Sequence, residues 1–342
     1  MTKDIYLVTG GTGHIASFVI LQLLEQGHIV KTSIRTISKA DQLKQSFLLS
    51  SSKLTQSIID SNLIIFKGDL ANDEDWHQSQ FDDVKYILHL ASPLTTEGST
   101  LDEFVIPATK GTLRVLQFAN KAPSVKHVVI TSSFAAIGYG LSEVKSEPFT
   151  EEDWTIVNEQ TEKTLRPYQV SKTLAEKSAW EFIKDPKNNV KFGLTTINPN
   201  LIYGPTLTSS TSFSASLSVF KSLIDGTYAT TGVPSRYVSV IDVRDVAKIH
   251  IEALTNPKAN NQRFILNTGI SYSLFEISEI IRKIYPHDKE LLEKLPSKED
   301  ESKPKDFPKV ASNEKAKSVF NWTPIPVEES LKVTIDNIRS LN

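Results

Sequence analysis

The chain has 342 residues, with 38 lysines and arginines against 40 aspartates and glutamates and a formal net charge of −2. At 39% apolar and 23% charged it is ordinary globular material, long enough for roughly two domains or one enlarged α/β domain. The near-neutral balance argues against a dominant nucleic-acid or anionic-membrane role, and the absence of cysteine excludes a disulfide scaffold, a zinc–thiolate site, a cysteine-ligated iron–sulfur cluster and a thiol nucleophile. No apolar run approaches the length of a membrane span, and the first residues carry no signal-peptide pattern. The expectation is a cytoplasmic monomer or homodimer without nucleic-acid, membrane or metal partners.

Ile5–Val8 is a short apolar run, as a buried parallel strand requires. A glycine-rich turn follows, and then Ile15, Phe18, Val19 and Leu23 recur at helical spacing, stopped by Gly27. The turn, from Thr9 through Gly10, Gly11 and Gly13 to Ala16, satisfies G-x-G-x-x-A from Gly11 and G-x-x-G-x-x-A from Gly10. Between a strand and a helix near the N-terminus, this pattern cradles a pyrophosphate on a helix end. Thr9, Gly10, Gly13, His14 and Ile15 are the expected contacts.

Ile29–Ile34 reads as the second strand and Ala40–Leu48 as a helix. No acid occurs between His28 and Lys39, where an NAD site usually places one for the ribose 2′-hydroxyl. Arg35 stands there with Lys39 one turn on. A guanidinium suits a 2′-phosphate, so the pattern favours NADP over NAD, against an ordinary solvated arginine. Strands are expected at Leu63–Phe66, Tyr86–Leu90 and Val125–Thr131, with a helix at Gly111–Asn120. Asp69 and Leu70 follow the third strand, where they would hold adenine or simply turn the chain. Leu90, Ala91 and Ser92 end the fourth, at the carboxyl edge of the sheet where ligands bind. This β-α-β order predicts a doubly wound parallel sheet, an α/β fold of Rossmann type.

Tyr168 and Lys172 lie four apart on one face of a helix that Pro167 opens. A nearby ammonium would lower the tyrosine pKa and make it a proton donor near neutral pH. Val128–Thr131 is an apolar strand ending in Ser132 and Ser133, which would either cap a turn or hold a carbonyl oxygen beside the Tyr168 hydroxyl. Past residue 200 the alternation weakens. Thr206–Ser218 reads as a loop entering a helix, Tyr237–Ile241 and Phe264–Asn267 as strands, and the charged Asp288–Lys309 as a surface excursion. The expected division is a nucleotide-binding core over 1–198, with 237–268 returning to it. A smaller substrate-binding region would comprise 199–236 and 269–342.

Taken in order, Thr9–Ala16, Arg35, Asp69-Leu70, His89–Pro93, Pro107–Thr112, Val128–Ala136, Tyr168–Lys172, Asn198–Pro205 and Val240–Ala247 resemble an extended short-chain dehydrogenase/reductase. The chain looks closest to the dihydroflavonol-reductase-like group, which includes fungal NADPH-dependent carbonyl and methylglyoxal reductases. The resemblance implies that Ser133, the second serine of the pair, orients and polarises a carbonyl. It implies that Tyr168 protonates the substrate oxygen as hydride leaves nicotinamide C4, and that Lys172 binds the nicotinamide ribose. Asn198 and Pro199 would start the loop beside the carboxamide, or form a structural turn. Leu94, Phe134 and Tyr203 would line a mainly apolar pocket, or be ordinary core. The plant reductases place Asn or Asp five residues after the serine; here that position is Gly138, which argues against a flavonoid. The expected activity is NADPH-dependent reduction of a small-molecule aldehyde or ketone. The alternatives are a nucleotide-sugar epimerase or dehydratase, for which Arg236, Arg244 and Arg263 are available, and a non-enzymatic NADP-binding regulator.

Overall fold

In the computed structural model, residues 3–93, 100–141, 145–207, 214–303 and 306–340 are described. The first two-thirds of the chain alternates strand and helix. The elements are β1 (Ile5–Thr9), α1 (His14–Glu25), β2 (Ile29–Ile34), α2 (Ala40–Ser50), α3 (Gln56–Asn62), β3 (Leu63–Lys67), β4 (Tyr86–His89), α4 (Leu101–Lys121), β5 (His127–Thr131), α5 (Pro167–Lys184) and β6 (Gly193–Pro199). There follow β7 (Leu201–Tyr203), α6 (Ala215–Ile224), β8 (Val233–Pro234), β9 (Tyr237–Asp242), α7 (Val243–Ala253), β10 (Gln262–Leu266), β11 (Ser271–Ser273), α8 (Leu274–Ile284), α9 (Lys289–Lys294), β12 (Glu299–Asp300), α10 (Glu314–Phe320) and α11 (Val327–Ser340).

Seven strands form one parallel sheet in the order β10-β6-β5-β4-β1-β2-β3. It is the expected doubly wound, Rossmann-type arrangement. The order reverses between β1 and β4, and this switch point opens a crevice beyond their carboxyl ends. The central strands are apolar on both faces because helices cover both. A second, three-stranded sheet, β11-β9-β7, packs with α6, α8 and α11 around Tyr203, Phe220, Val240, Ile277 and Leu331.

Several features differ from the sequence expectation, among them β6, the strand between β5 and β10, for which no strand was expected. Helix α4 starts ten residues earlier than Gly111. Pro107 lies inside it, and a Thr100–Glu103 capping box secures its first turn. Helix α3 was not anticipated. The segment 288–309 is not merely a surface excursion: it contains α9, buries Leu291 and Leu295 in the second core, and pairs β12 with β8. Finally, the segment 237–268 is shared. Strand β9 belongs to the second sheet, while α7 packs on α1 and β10 forms an edge of the first. Late in the chain, Phe320 and Trp322 also join the first core, with Trp322 Nε1 donating to Asp245 Oδ1 at 2.9 Å.

Candidate active site

A single cleft of about 1380 Å³ runs from the glycine turn across the carboxyl edge of the sheet to the second region. At one end, Gly10 has φ of +76°, and a Cβ there would sit 2.9 Å from Ala91 Cα. Only glycine lets the turn pass so close to the β4 strand end. Gly13 caps α1 without a side-chain bond, and no acid occupies the first helical turn. The helix N-terminus is therefore electropositive and faces the cleft. Gly10, Gly13, His14 and Ile15 all line it. His14 is held by a 2.8 Å bond from Nε2 to the Pro205 carbonyl, and burial lowers its pKa, so the ring is neutral.

Thr9 does not reach the cleft. Its fully buried hydroxyl accepts from the Leu90 and Ala91 amides at 3.1 and 3.0 Å and donates to His89 Nδ1 at 2.9 Å. It fixes the strand end that carries Leu90, Ala91 and Ser92, which do line the cleft. Arg35 also lines it, is exposed, and has no hydrogen-bond or ion-pair partner among the described residues. Lys39 is exposed one turn on and is not a lining residue. The Asp69 carboxylate accepts the Ala71 amide at 2.9 Å, forming a turn at the cleft wall. Leu70 packs against Gly111, where a Cβ would come within 2.9 Å of Leu70 Cδ2.

At the middle of the cleft, Pro167 and an Arg166 amide–Gln169 Oε1 bond of 2.8 Å start α5. Tyr168 and Lys172 then follow on one face. Ser133, two residues past the end of β5, lies opposite them beside the Tyr168 hydroxyl. Its neighbour Ser132 turns the other way, donating to Glu176 Oε2 at 2.5 Å in the interior. The two serines are thus separated by the alternation of extended backbone. Lys172, 8% exposed, donates to the Thr131 carbonyl at 3.0 Å, with Nζ 6.0 Å from the Tyr168 ring centroid. Burial brings its pKa down to about 8, opposed by the charge of Glu176.

The expected lowering of the tyrosine pKa is not found. Burial raises it, and the Ser133 hydrogen bond only partly offsets that. The lysine is aimed at Thr131, and removal from water disfavours the phenolate more than the hydrogen bond favours it.

Two further residues face elsewhere than expected. Asn198 is fully buried, and its amide donates to the Ser133 carbonyl at 3.2 Å and to Glu176 Oε2 at 2.8 Å; Pro199 does line the cleft. Tyr203 is also fully buried, packed on Phe220 with ring centroids 4.8 Å apart, and is core of the second region rather than pocket wall. Leu94 lies outside the described residues. Phe134 lines the cleft, and its ring fills the space beside Gly138: a Cβ there would lie 2.8 Å from Phe134 Cε1 and closer still to Cζ.

Sequence reading did not place Tyr139, Arg166, Asp306 and Lys309 in the cleft, nor Arg236 in this role, and these make the substrate end more polar than expected. Only Arg166, two residues before Tyr168, had a local signal. Lys309 is paired with Asp306 at 3.3 Å and lies 5.5 Å from the Tyr139 ring centroid. Among the described residues no cluster suits a metal ion, and no helix is long and apolar enough to cross a membrane.

Comparison with known proteins adds independent findings. The profile of the NAD dependent epimerase/dehydratase family matches residues 6–269. A putative NADPH-dependent methylglyoxal reductase of Candida albicans, GRP2, is 31% identical, with 97% of each chain covered. The cinnamoyl-CoA reductase CAD2 of Medicago truncatula is 32% identical over 98% of this chain and 96% of its own. Among solved structures, yeast methylglyoxal/isovaleraldehyde reductase Gre2 complexed with NADPH superposes with a TM-score of 0.84 at 26% identity, covering 98% of each chain.

Proposed function

Because the chain belongs to the NAD dependent epimerase/dehydratase family, we propose that it is an NADPH-dependent carbonyl reductase that converts small aldehydes and ketones to alcohols. The observation that carries the reading is the meeting of Ser133, Tyr168 and Lys172 in the cleft that begins at the Gly10–Gly13 turn. The relatives reported above include NADPH-dependent reductases of carbonyl compounds. The chain's own groups fit the cofactor: a glycine whose Cβ would obstruct the turn, an uncapped helix N-terminus for the pyrophosphate, and an unpaired Arg35 for the 2′-phosphate.

When bound, the nicotinamide supplies hydride to the carbonyl carbon. Ser133 holds the carbonyl oxygen. Tyr168, kept protonated by burial, gives its proton to that oxygen as negative charge develops there. Lys172, charged below about pH 8, would hold the nicotinamide ribose with its ammonium. Residues 1–198 together with α7 and β10 serve the cofactor, and the second sheet with its helices serves the substrate. The enzyme works in the cytoplasm, as a monomer or homodimer, on small molecules alone.

The test is NADPH oxidation with methylglyoxal, a diketone, a halogenated acetoacetate ester and acetophenone. Tyr168→Phe is expected to remove nearly all turnover while leaving NADPH affinity nearly unchanged. Wild-type turnover in that variant would show that another group delivers the proton. Arg166 and Arg236 in the cleft favour, as a second reading, a sugar-nucleotide substrate. That chemistry would interconvert sugar nucleotides without net NADPH consumption.

A further inference from the structure

Glu176 follows Lys172 by one turn on the same helix, is 1% exposed, and does not reach the main cleft. Its carboxylate collects five donors. Oε1 accepts from Arg263 Nε of β10 at 2.6 Å, Thr196 Oγ1 of β6 at 2.9 Å and Trp180 Nε1 of α5 at 3.2 Å. Oε2 accepts from Ser132 Oγ beyond β5 at 2.5 Å and Asn198 Nδ2 of β6 at 2.8 Å. Two of these donors adjoin Ser133: Ser132 precedes it in the chain, and the Asn198 amide also binds its carbonyl. Arg263 is itself fixed, donating to the Glu151 and Asp153 carbonyls and stacking 3.7 Å over Trp154. A buried ion pair adds little net stability over apolar packing, because desolvation offsets the attraction. What this one adds is direction: it ties β6, β10 and the residue after β5 to the helix that carries Tyr168 and Lys172.

We propose that Glu176 is the positioning residue of this site: its carboxylate sets Ser133 and Lys172 in register by joining β5, β6 and β10 to α5, and its charge faces the Lys172 ammonium. The proposal rests on the reductase reading above. The surroundings of Lys172 make the charge effect specific. Tyr168 and Glu176 face it from α5, His89 from β4 is neutral through burial, β5 offers the Thr131 carbonyl, and α4 contributes Ala108 and Thr112. Among the described residues, Glu176 is the one carboxylate beside it, with Arg263 on the far side. Removing the carboxylate charge takes away the attraction that favours the protonated lysine.

The experiment uses the full-length protein with ¹³C-labelled lysine, the Lys172 signal being assigned by its loss in Lys172→Met. In the wild type, Lys172 is expected to titrate near 8. In Glu176→Gln its midpoint should fall by about half a pH unit or more. Turnover of a ketone should fall roughly ten- to a hundredfold, while KM for NADPH stays within about threefold. A purely structural role would lower turnover without moving the lysine. Ser132→Ala keeps the Glu176–Arg263 pair and cuts one tie to the Ser133 segment. It should lower turnover and leave the Lys172 midpoint in place, and it decides the matter if Glu176→Gln does not fold. An unmoved lysine in folded Glu176→Gln, or wild-type turnover in Ser132→Ala, overturns the proposal. A protein that shows the lysine shift but reduces no carbonyl compound refutes the reductase reading and supports the placement of Glu176.

Discussion

Lys172→Met should make the protein more stable at neutral pH and inactive at the same time. The ammonium is 8% exposed, and the hydrogen bond the structure gives it is to the Thr131 carbonyl at 3.0 Å. Burial brings its pKa from 10.5 to about 8. At roughly 1.4 kcal/mol for each tenfold change, the folded state carries a penalty of about 3 kcal/mol for holding this charge. The penalty is full below pH about 8, where both states are protonated. Between 8 and 10.5 the unfolded chain binds more protons than the folded one, so stability rises with pH and the penalty disappears. Methionine keeps most of the packing of the stem and loses the bond to Thr131, which is worth about 1 kcal/mol. The net gain expected at pH 7 is therefore about 2 kcal/mol. Urea unfolding of the cofactor-free proteins, followed by tryptophan fluorescence from pH 7 to 10, measures it. The gap should narrow steadily above pH 8 and reverse as the wild-type lysine becomes neutral. A variant less stable than wild type at pH 7, or a gap that does not change with pH, refutes the reasoning.

Arg35→Ala should lower kcat/KM for NADPH about tenfold and leave NADH use unchanged, because a charge-assisted phosphate contact at an exposed position is partly screened. Equal use of the two cofactors by the wild type would contradict the role given to Arg35. Gly138→Asn should cost about 1–3 kcal/mol in chemical denaturation, since its Cβ collides with the Phe134 ring. Phe134→Ala should cost less in that variant than in the wild type, and an equal cost in the two would show that the collision is not the cause. Tyr203→Phe should be neutral or stabilising by up to about 1 kcal/mol with KM unchanged, because the buried hydroxyl has no hydrogen-bond partner among the described residues. A raised KM for the carbonyl substrate would return Tyr203 to the pocket wall.

The alternation of apolar runs with amphipathic stretches was enough to read a doubly wound parallel sheet and six of its seven strands, because buried parallel strands and covering helices have distinct periods; β6, between β5 and β10, was missed. Local patterns also marked the glycine turn and the Tyr168–Lys172 pair. Side-chain direction at strand ends was not legible. Ser132 and Ser133 are chemically identical neighbours, and only the sheet's register turns one inward to Glu176 and the other toward Tyr168. Thr9, Asn198 and Tyr203 sit at cleft-forming positions in the chain but point into the interior for the same reason. The tyrosine pKa was misjudged because sequence spacing shows a lysine nearby but not the burial that outweighs it. Glu176 carried a signal, four residues after Lys172. Its partner Arg263, 87 residues away, carried none. Pro107 concealed the first turns of α4 because an interior proline ordinarily ends a helix.

The placement of β10 at the edge of the first sheet bears on how the chain emerges from the ribosome. Strand β6 is buried along almost its whole length, and one side of its backbone waits for β10. Between Pro199 and Gln262 roughly sixty residues must be made, which at about 5–20 residues per second takes some 3–12 seconds. Throughout that interval the nascent sheet presents an unpaired apolar edge, the kind of surface that templates association with other chains. Expression conditions that slow elongation across 200–261 lengthen this exposure. Yield of native protein should therefore respond to codon choice in that stretch, and to chaperone supply, more than to the same changes made before residue 190.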